Sequence, residues 1–394
     1  QVSDEDGLRQ AMERPIRGYI GYDPSASSFH VGNLLTIMAM AHLQRHGHRP
    51  IVVVGAGTGM IGDPSGKTEM RQLLSLERIR ANAESLKRQF SRYIDFGPDG
   101  ATMVNNADWL LPLNYITFLR EIGRHFSVNR MLAAEAYQTR LETGLSFLEF
   151  NYQVLQAYDF LYLFQNYDCI LQMGGNDQWG NILAGVELIR RVAGGQAYAL
   201  TFPLLTTASG AKMGKTAQGA IWLDAEMLSP YDFYQFWVNT EDQDVARFMK
   251  IYTFLPLEEI AELASLQGAE IRRAKERLAY EVTRLTHGEE EALRAREASR
   301  SLFGGAAAGA GEAVPSTALH AQELEQGVPI TDLLERTGLA KSRSDARRLI
   351  QQGGAYINEE QVASIDRMVA TADLHDGAIL LRAGKKRYHR VTVA

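Results

Sequence analysis

The chain has 394 residues, 45% of them hydrophobic, which is enough to bury a sizeable core and to divide into two or three domains. No run of about 18 apolar residues occurs, which excludes a membrane-spanning helix. The net charge of −6 excludes a wholesale nucleic-acid coat but leaves room for a local basic patch.

The single cysteine, Cys169, excludes an internal disulfide framework and agrees with a reducing compartment. It sits in the apolar run Cys169-Ile170-Leu171 and reads as a small buried hydrophobe. No metal-ligand spacing stands out, so no resident metal is expected. The first residue is Gln1 and the opening residues read like the middle of an element, so a longer natural chain is expected.

The first half alternates strand-like and helix-like segments. A strand over 17–22 leads through the turn Asp23-Pro24-Ser25 into a long apolar helix over 31–46. A strand over 50–55 and a helix over 76–93 follow, then a strand over 168–173, a helix over 178–192 and a strand over 197–205. Short apolar strands interleaved with helices predict a parallel sheet covered on both faces. Ligands in such sheets bind beyond the carboxyl ends of the strands, where Gly21-Tyr22-Asp23, Gly55-Ala56-Gly57 and Gly174-Gly175-Asn176 fall. Residues 109–150 interrupt the alternation with helical, aromatic-rich sequence.

Two strings lying 182 positions apart can each hold phosphate. His30-Val31-Gly32-Asn33 opens the first helix: Gly32 permits close approach to the backbone, His30 and Asn33 carry hydrogen-bond donors, and a helix N-terminus favours anions. Lys212-Met213-Gly214-Lys215-Thr216 places two ammonium groups three positions apart beside a glycine, which is expected to loosen the loop. Taken singly, the first is equally a helix cap and the second a solvated loop.

A helix is expected over 149–164. It is strongly apolar, yet Tyr152, Gln156 and Asp159 fall at i, i+4 and i+7, which puts three polar groups on one face. Burying them unpartnered costs a few kcal/mol each, so either a ligand or a structural hydrogen-bond network must satisfy them.

From 230 to about 302 the pattern is helical and charged. The run Gly304-Gly305-Ala306-Ala307-Ala308-Gly309-Ala310-Gly311 then reads as a flexible linker. Residues 329–394 carry 11 Lys and Arg against 8 Asp and Glu, a net +3. Their charge is grouped at Lys341, Arg343, Arg347 and Arg348 and again at Arg382, Lys385, Lys386, Arg387 and Arg390. Such clusters suit a phosphate backbone, or form a solvated basic face.

The segment Pro24 to Asn33 resembles the HIGH region of class I aminoacyl-tRNA synthetases, and Lys212 to Thr216 resembles their KMSKS loop. Within that class the chain is similar to the bacterial-type tyrosyl-tRNA synthetases. The segments Gly59 to Lys67, Tyr152 to Asp159 and Gly174 to Asn181 match as well, so the resemblance covers nearly the whole chain. Residues 342–358 resemble the RNA-binding domain named after small ribosomal subunit protein four.

The resemblance implies an α/β fold. A Rossmann-like catalytic domain would span 1–220, with a helical insertion at 109–150 carrying a homodimer interface (or simply packing on the sheet). A helical anticodon-side domain would span 221–303, a linker 304–328 and a small α+β RNA-binding domain 329–394.

It also implies an ATP-dependent ligase acting on L-tyrosine and tRNA(Tyr), in the cytoplasm or an organellar matrix, with Mg²⁺ accompanying the ATP phosphates. Tyr19 and Asp159 would hold the substrate phenol, and Asp63, Tyr152, Gln156 and Gln178 would surround its α-ammonium, although Asp63 before proline is equally a turn former. Asp23, Ser25, His30, Gly32, Asn33, Thr36, Gly174 and Asp177 would contact ATP; Gln178 would contact the adenylate as well. Lys212, Lys215 and Thr216 would close over the pyrophosphate with help from Lys67 and Arg71.

Asn33, Gly214 and Thr216 depart from the family pattern but keep the donors and charges. A tryptophanyl enzyme of the same group suits Asp159 and Tyr19 less well. An RNA-binding or splicing factor built on this scaffold would have no need of the lysine pair and the polar pocket.

Overall fold

The computed structural model describes residues 1–65, 75–216, 219–303, 314–375, 377–384 and 387–394. Lys67, Arg71, the glycine- and alanine-rich run from Gly304 to Gly311 and the Lys385-Lys386 pair lie outside the described residues. The chain divides into two compact units. One comprises Gln1–Met227 and Glu241–Gly268; the other comprises Leu228–Thr240 and Ala269–Ala394.

In the first unit, the apolar runs become the centre of a sheet. The elements follow in order as β1 (Arg17–Tyr22), α1 (Val31–Arg45), β2 (Arg49–Val54), α2 (Leu76–Phe90) and β3 (Thr102–Asn105). An inserted region contains α3 (Tyr115–Glu121), α4 (Glu135–Thr143) and α5 (Phe147–Phe150). Then come α6 (Tyr152–Tyr167), β4 (Cys169–Gly175), α7 (Trp179–Ala193) and β5 (Tyr198–Phe202). The five strands are all parallel, in the order β3-β2-β1-β4-β5. Sequence order therefore reverses between β1 and β4, which marks the topological switch point where ligands bind in open α/β sheets.

Two features differ from the sequence reading. The edge strand β3 was not expected: it is four residues long, only partly buried, and too short to show a period. The helix expected over 149–164 is two helices, α5 and α6. Ser146 and Glu149 form a reciprocal capping box that starts α5, and the break falls at Asn151. Arg140 on α4 pairs with Glu149 on α5 at 2.9 Å, each side chain only 3% exposed. That buried pair fixes the approach to α6, whose first residue is Tyr152. The insertion leaves Tyr115, Ile116, Val128, Leu141 and Phe147 exposed.

The last strands of this unit are β6 (Lys215–Thr216) and β7 (Gly219–Ala220), an antiparallel pair. In the second unit, α8 (Pro230–Val238) buries Tyr231, Phe233, Tyr234 and Trp237. The chain then returns to the first unit for α9 (Val245–Tyr252). Back in the second, α10 (Ile271–His287) and α11 (Glu289–Phe303) pack with α8, so the charged stretch read as helical is helical.

Residues beyond them form β8 (Ser316–Leu319), α12 (Arg343–Gln351), β9 (Ala355–Ile357), β10 (Glu360–Gln361), β11 (Ala378–Ala383) and β12 (Arg387–Val393). The sheet order is β10-β9-β11-β12-β8, over an apolar core that includes Leu333, Ala346, Ile350, Leu381 and Val391. Much of the basic charge here is neutralised locally. Arg343 pairs with Asp332, Arg348 with Asp345, and Arg382 with Glu359. Arg382 also lies 3.5 Å over the Tyr356 ring. Arg347, on the exposed side of α12, has no such partner among the described residues.

Candidate active site

The carboxyl ends of β1, β2, β3 and β4 deliver Asp23, Gly55, Asn106 and Asn176 to one edge of the sheet. Within the otherwise buried β1, Gly21 is exposed, and a Cβ built there would meet nothing within 4 Å. Open space therefore begins at the middle of the switch point.

One wall is a continuous hydrogen-bond chain. Asp159 on α6 accepts from Trp109 Nε1 at 2.7 Å through Oδ1 and from Asn106 Nδ2 at 2.9 Å through Oδ2. Asn106 Nδ2 also donates to Thr58 Oγ1 at 2.9 Å, and Thr58 Oγ1 donates to Asp23 Oδ1 at 2.7 Å. Tyr152 on α6 donates its hydroxyl to Asp23 Oδ2 at 2.9 Å. Gly55 makes room for this chain: a Cβ there would lie 2.1 Å from Asp23 Oδ1 and 2.6 Å from Thr58 Oγ1.

The three polar groups predicted to share a face of α6 thus find protein partners, since Gln156 Oε1 accepts from Asn181 Nδ2 at 3.1 Å. Burial alone does not require a ligand for them. Tyr19 differs. Its hydroxyl lies buried on β1 without a hydrogen-bond partner among the described residues, at a cost of about 1–3 kcal/mol.

Electrostatics single out the same end. Asp159 is 4% exposed, and burial pushes its carboxyl up to about 7. The Asn106 and Trp109 donors pull it down, and the Asp23 charge adds a smaller push upward. Burial likewise raises the Tyr19 phenol, with the Asp159 charge as the next cause.

A second cluster is built from Asp63, Gln156, Gln178 and Asn181. Asp63 Oδ2 accepts from Gln178 Nε2 at 2.7 Å and Oδ1 from the Ser65 amide at 2.9 Å. The turn expected at Asp63-Pro64 is therefore present, and the carboxylate also reaches Gln178. Asn181 Nδ2 donates to Ser65 Oγ, Gln156 Oε1 and Gln178 Oε1, at 3.1–3.3 Å. These bonds gather the side-chain oxygens of Asp63, Gln156 and Gln178 around Asn181 and Gln178 Nε2, acceptors of the kind an ammonium group needs. Gly174 is buried against Gln178, while Asp177 is exposed beside it.

The first of the two strings is a helix cap. His30 Nδ1 accepts from the Gly32 amide at 3.0 Å, and the His30 amide donates to Asn33 Oδ1 at 3.1 Å. With Nδ1 an acceptor, the ring proton of the neutral imidazole sits on Nε2. Thr36 Oγ1 donates to the Asn33 carbonyl at 2.8 Å and accepts from Tyr22. Ser25 is exposed in the turn after β1.

The two distant strings touch. Gly214 has φ +79°, and a Cβ there would lie 2.6 Å from the Gly32 amide nitrogen. The Val31 amide donates to the Ile221 carbonyl at 2.8 Å, and the Ile221 amide to the Gly214 carbonyl at 3.0 Å. Glycine at 214 was expected to loosen the loop. Its role is instead to let the loop dock backbone to backbone on the start of α1, in a left-handed conformation a side chain would strain. Lys212 is exposed, and of Lys215 and Thr216 only the backbone strand is described.

Sequence reasoning missed Asn106, Trp109, Thr58 and Asn181. The available signal was the pair Asn105-Asn106 followed by Trp109, but it stands at the end of a strand that carries no readable period.

Comparison with known proteins agrees with this geometry. The family described as tRNA synthetases class I (W and Y) matches residues 10–304, and the tyrosine–tRNA ligase SYY-like C-terminal domain matches residues 307–391. A tyrosine–tRNA ligase of Syntrophus aciditrophicus is 54% identical over 100% of this chain and 96% of its own length. One of Desulfosudis oleivorans is 56% identical over 99% of this chain and 95% of its own. Among solved structures, a truncated mitochondrial tyrosyl-tRNA synthetase of Aspergillus nidulans is 32% identical with a TM-score of 0.69, covering 76% of this chain and 90% of that one. That of Archaeoglobus fulgidus, at 20% identity and a TM-score of 0.57 over 74% of this chain and 95% of that one, shares the fold. The chain belongs to the class I tRNA synthetases of the tryptophan-and-tyrosine group and, within it, to the bacterial-type tyrosyl-tRNA synthetases.

Proposed function

We propose that the chain activates L-tyrosine with ATP to tyrosyl-adenylate and pyrophosphate, then transfers the tyrosyl group to the 3′ end of tRNA(Tyr). The observation that carries the substrate assignment is the unpaired, buried Tyr19 hydroxyl on the strand beside the buried Asp159 carboxylate. A phenol answers both: its proton goes to Asp159, and its oxygen accepts from Tyr19. Phenylalanine would leave the Tyr19 hydroxyl unpaired and bring no further donor to Asp159. A site built to hydrogen-bond a hydroxyl rejects the analogue that lacks it, and tyrosyl-tRNA synthetases are themselves the standard example of that rule. An indole offers a donor but no acceptor for Tyr19.

The substrate α-ammonium then falls to the oxygens of Asp63, Tyr152, Gln156 and Gln178. ATP, entering with its own Mg²⁺, would lie over Asp23, Ser25, Gly32, Thr36, Gly174 and Asp177. The tyrosine carboxylate attacks the α-phosphorus as pyrophosphate leaves. Negative charge building on the phosphates would meet His30 Nε2, Asn33 Nδ2, Thr216 and the ammonium groups of Lys212 and Lys215. No covalent intermediate on the protein is needed, and catalysis is positioning plus charge stabilisation.

We further propose the domain roles that the resemblance implies: catalysis by 1–220, tRNA contacts by 221–303 and 329–394, and homodimerisation through 109–150. The exposed Ile116 and Phe147 side chains support the last, since apolar patches on an insertion mark an interface. No described helix is long and apolar enough to cross a membrane. The resemblance supports placing the enzyme in the cytoplasm or an organellar matrix.

Tyrosine-dependent exchange of pyrophosphate into ATP tests the reading. Exchange with tyrosine and not with phenylalanine or tryptophan is expected. No exchange, or faster exchange with tryptophan, overturns it.

A further inference from the structure

The stem of the Lys212 loop is held by a carboxylate that has left its usual duty. Residues 205–213 form a small antiparallel turn. The Met213 amide donates to the Leu205 carbonyl at 3.0 Å, Thr206 bridges Lys212, and the Thr207 amide donates to the Ala211 carbonyl at 2.8 Å. Residues 208 to 212 are exposed, so the turn buries little of its own, and an isolated two-stranded turn is at best marginally stable.

Its far side docks through Gly214 on α1. Its near side is gripped by the segment that leads into α9. Asp244 Oδ2 accepts from the Ala208 amide at 2.7 Å, and Asp244 Oδ1 accepts from Arg247 at 2.6 Å. Arg247 also donates to the carbonyl of Thr206, the residue paired with Lys212. Glu241 accepts from Ser209 Oγ at 2.7 Å.

Asp244 stands at the N-cap position of α9, where aspartate ordinarily accepts from the helix's own free amides. Here its side chain makes no cap bond. It is 3% exposed and spends its oxygens on the Ala208 amide and on Arg247. The arrangement favours the loop at the expense of the helix.

We propose that Asp244, with Arg247, is a positioning residue for adenylate formation. It fixes the 205–213 turn and thereby aims the Lys212 ammonium at the departing pyrophosphate. This rests on the ligase reading above. A misplacement of about 1 Å at a group aimed at a transition state can cost about 100-fold in rate.

The test compares full-length Asp244→Ala, Asp244→Asn and Arg247→Met with the unmodified chain. Single-turnover adenylate formation, tyrosine affinity, melting temperature and the rate of tryptic cleavage after Lys212 are measured for each. Asp244→Ala should slow adenylate formation at saturating substrates about 10-fold or more, leave tyrosine affinity within about two-fold, and speed cleavage after Lys212 several-fold. Asp244→Asn keeps an acceptor for the Ala208 amide and should recover much of the rate. Arg247 is 43% exposed, so Arg247→Met tests the same contact in a fold that does not depend on it.

Unchanged adenylate and cleavage rates in folded variants overturn the proposal. So does a parallel loss of rate and tyrosine affinity, which would mark Asp244 as merely structural. If the unmodified chain makes no adenylate, the ligase reading fails instead, and the cleavage rate still decides whether Asp244 anchors the turn.

Discussion

Replacing Trp109 with phenylalanine removes the indole N–H from the site, together with the five-membered part of a ring that is 6% exposed. The ring stacks on Tyr162 at 4.4 Å with an interplanar angle of 15°, a contact phenylalanine can keep in part. The lost group is the Nε1–H that meets Asp159 Oδ1 at 2.7 Å. A hydrogen bond to a buried charge contributes about 1.5–3 kcal/mol, and one pK unit corresponds to about 1.4 kcal/mol. The Asp159 carboxyl, at about 7 with both donors present, should therefore rise by about one to two pK units in Trp109→Phe. Near pH 7.5 the free site would change from mostly ionised to mostly protonated, and tyrosine would bind about 10-fold more weakly.

The assay is tyrosine affinity, by equilibrium binding, from about pH 5.5 to about pH 8.5. In the unmodified protein affinity should climb as pH rises through about 7, since the phenol proton needs a carboxylate to accept it. In the variant the same climb should come one to two pH units higher. An unshifted midpoint, with the variant folded, refutes the idea that Trp109 holds Asp159 ionised.

Other consequences are simpler to read. Because burial raises the Asp159 carboxyl from 3.8 to about 7, the folded chain binds more protons than the unfolded one between those values. This group's contribution to stability therefore falls by about 4 kcal/mol as pH rises through that interval and is level above it, so Asp159→Asn should flatten that part of a stability-against-pH curve from denaturant titrations. Glu149→Ala removes the buried carboxylate that meets Arg140 at 2.9 Å, and chemical denaturation should show a loss of about 3–5 kcal/mol. Gly214→Ala should slow adenylate formation at least about 10-fold in stopped-flow measurements, with tyrosine affinity unchanged, because the new Cβ displaces the loop from Gly32. Arg347→Ala should weaken tRNA binding and lower its log–log salt slope by about one, while pyrophosphate exchange stays as it was.

Most of the sheet was legible because its central strands are largely buried and read as short, mostly apolar runs between turn signals. The edge strand β3 escaped because an edge buries too little to impose a pattern. Tyr152, Gln156 and Asp159 were legible as a face because helical spacing is local. Their partners were not, because Asn106 and Trp109 reach Asp159 across 53 and 50 residues and only the closed sheet brings them together. The glycine at 214 shows a different limit. Sequence identifies a residue without a side chain, but only the fold says whether that means freedom or close approach, and here Gly32 is the reason.

The hydrogen-bond chain has a consequence for how recognition and chemistry relate. Asp159 faces the end where the substrate phenol would lie, and Asp23 faces the end where ATP would lie. Asn106 and Thr58 join them without a break, each bond shorter than 3 Å. Low-dielectric surroundings make such bonds stiff, and a chain of them resists deformation better than its members would singly. A substrate that fails to engage Asp159 leaves that carboxylate free to protonate and turn. Asn106 then loses one acceptor and can shift on Thr58, which sets Asp23. Because Tyr152 also ends on Asp23, the proposed ammonium contact would move with it. On the proposed reading a wrong amino acid would be rejected twice, once in affinity and once in the placement of its carboxylate against the α-phosphorus. Thr58→Val, which cuts the chain in the middle without touching either substrate, should lower the rate of adenylate formation with tyrosine while narrowing its advantage over phenylalanine. If selectivity survives intact while the rate falls, the two ends are independent and the chain is only scaffolding.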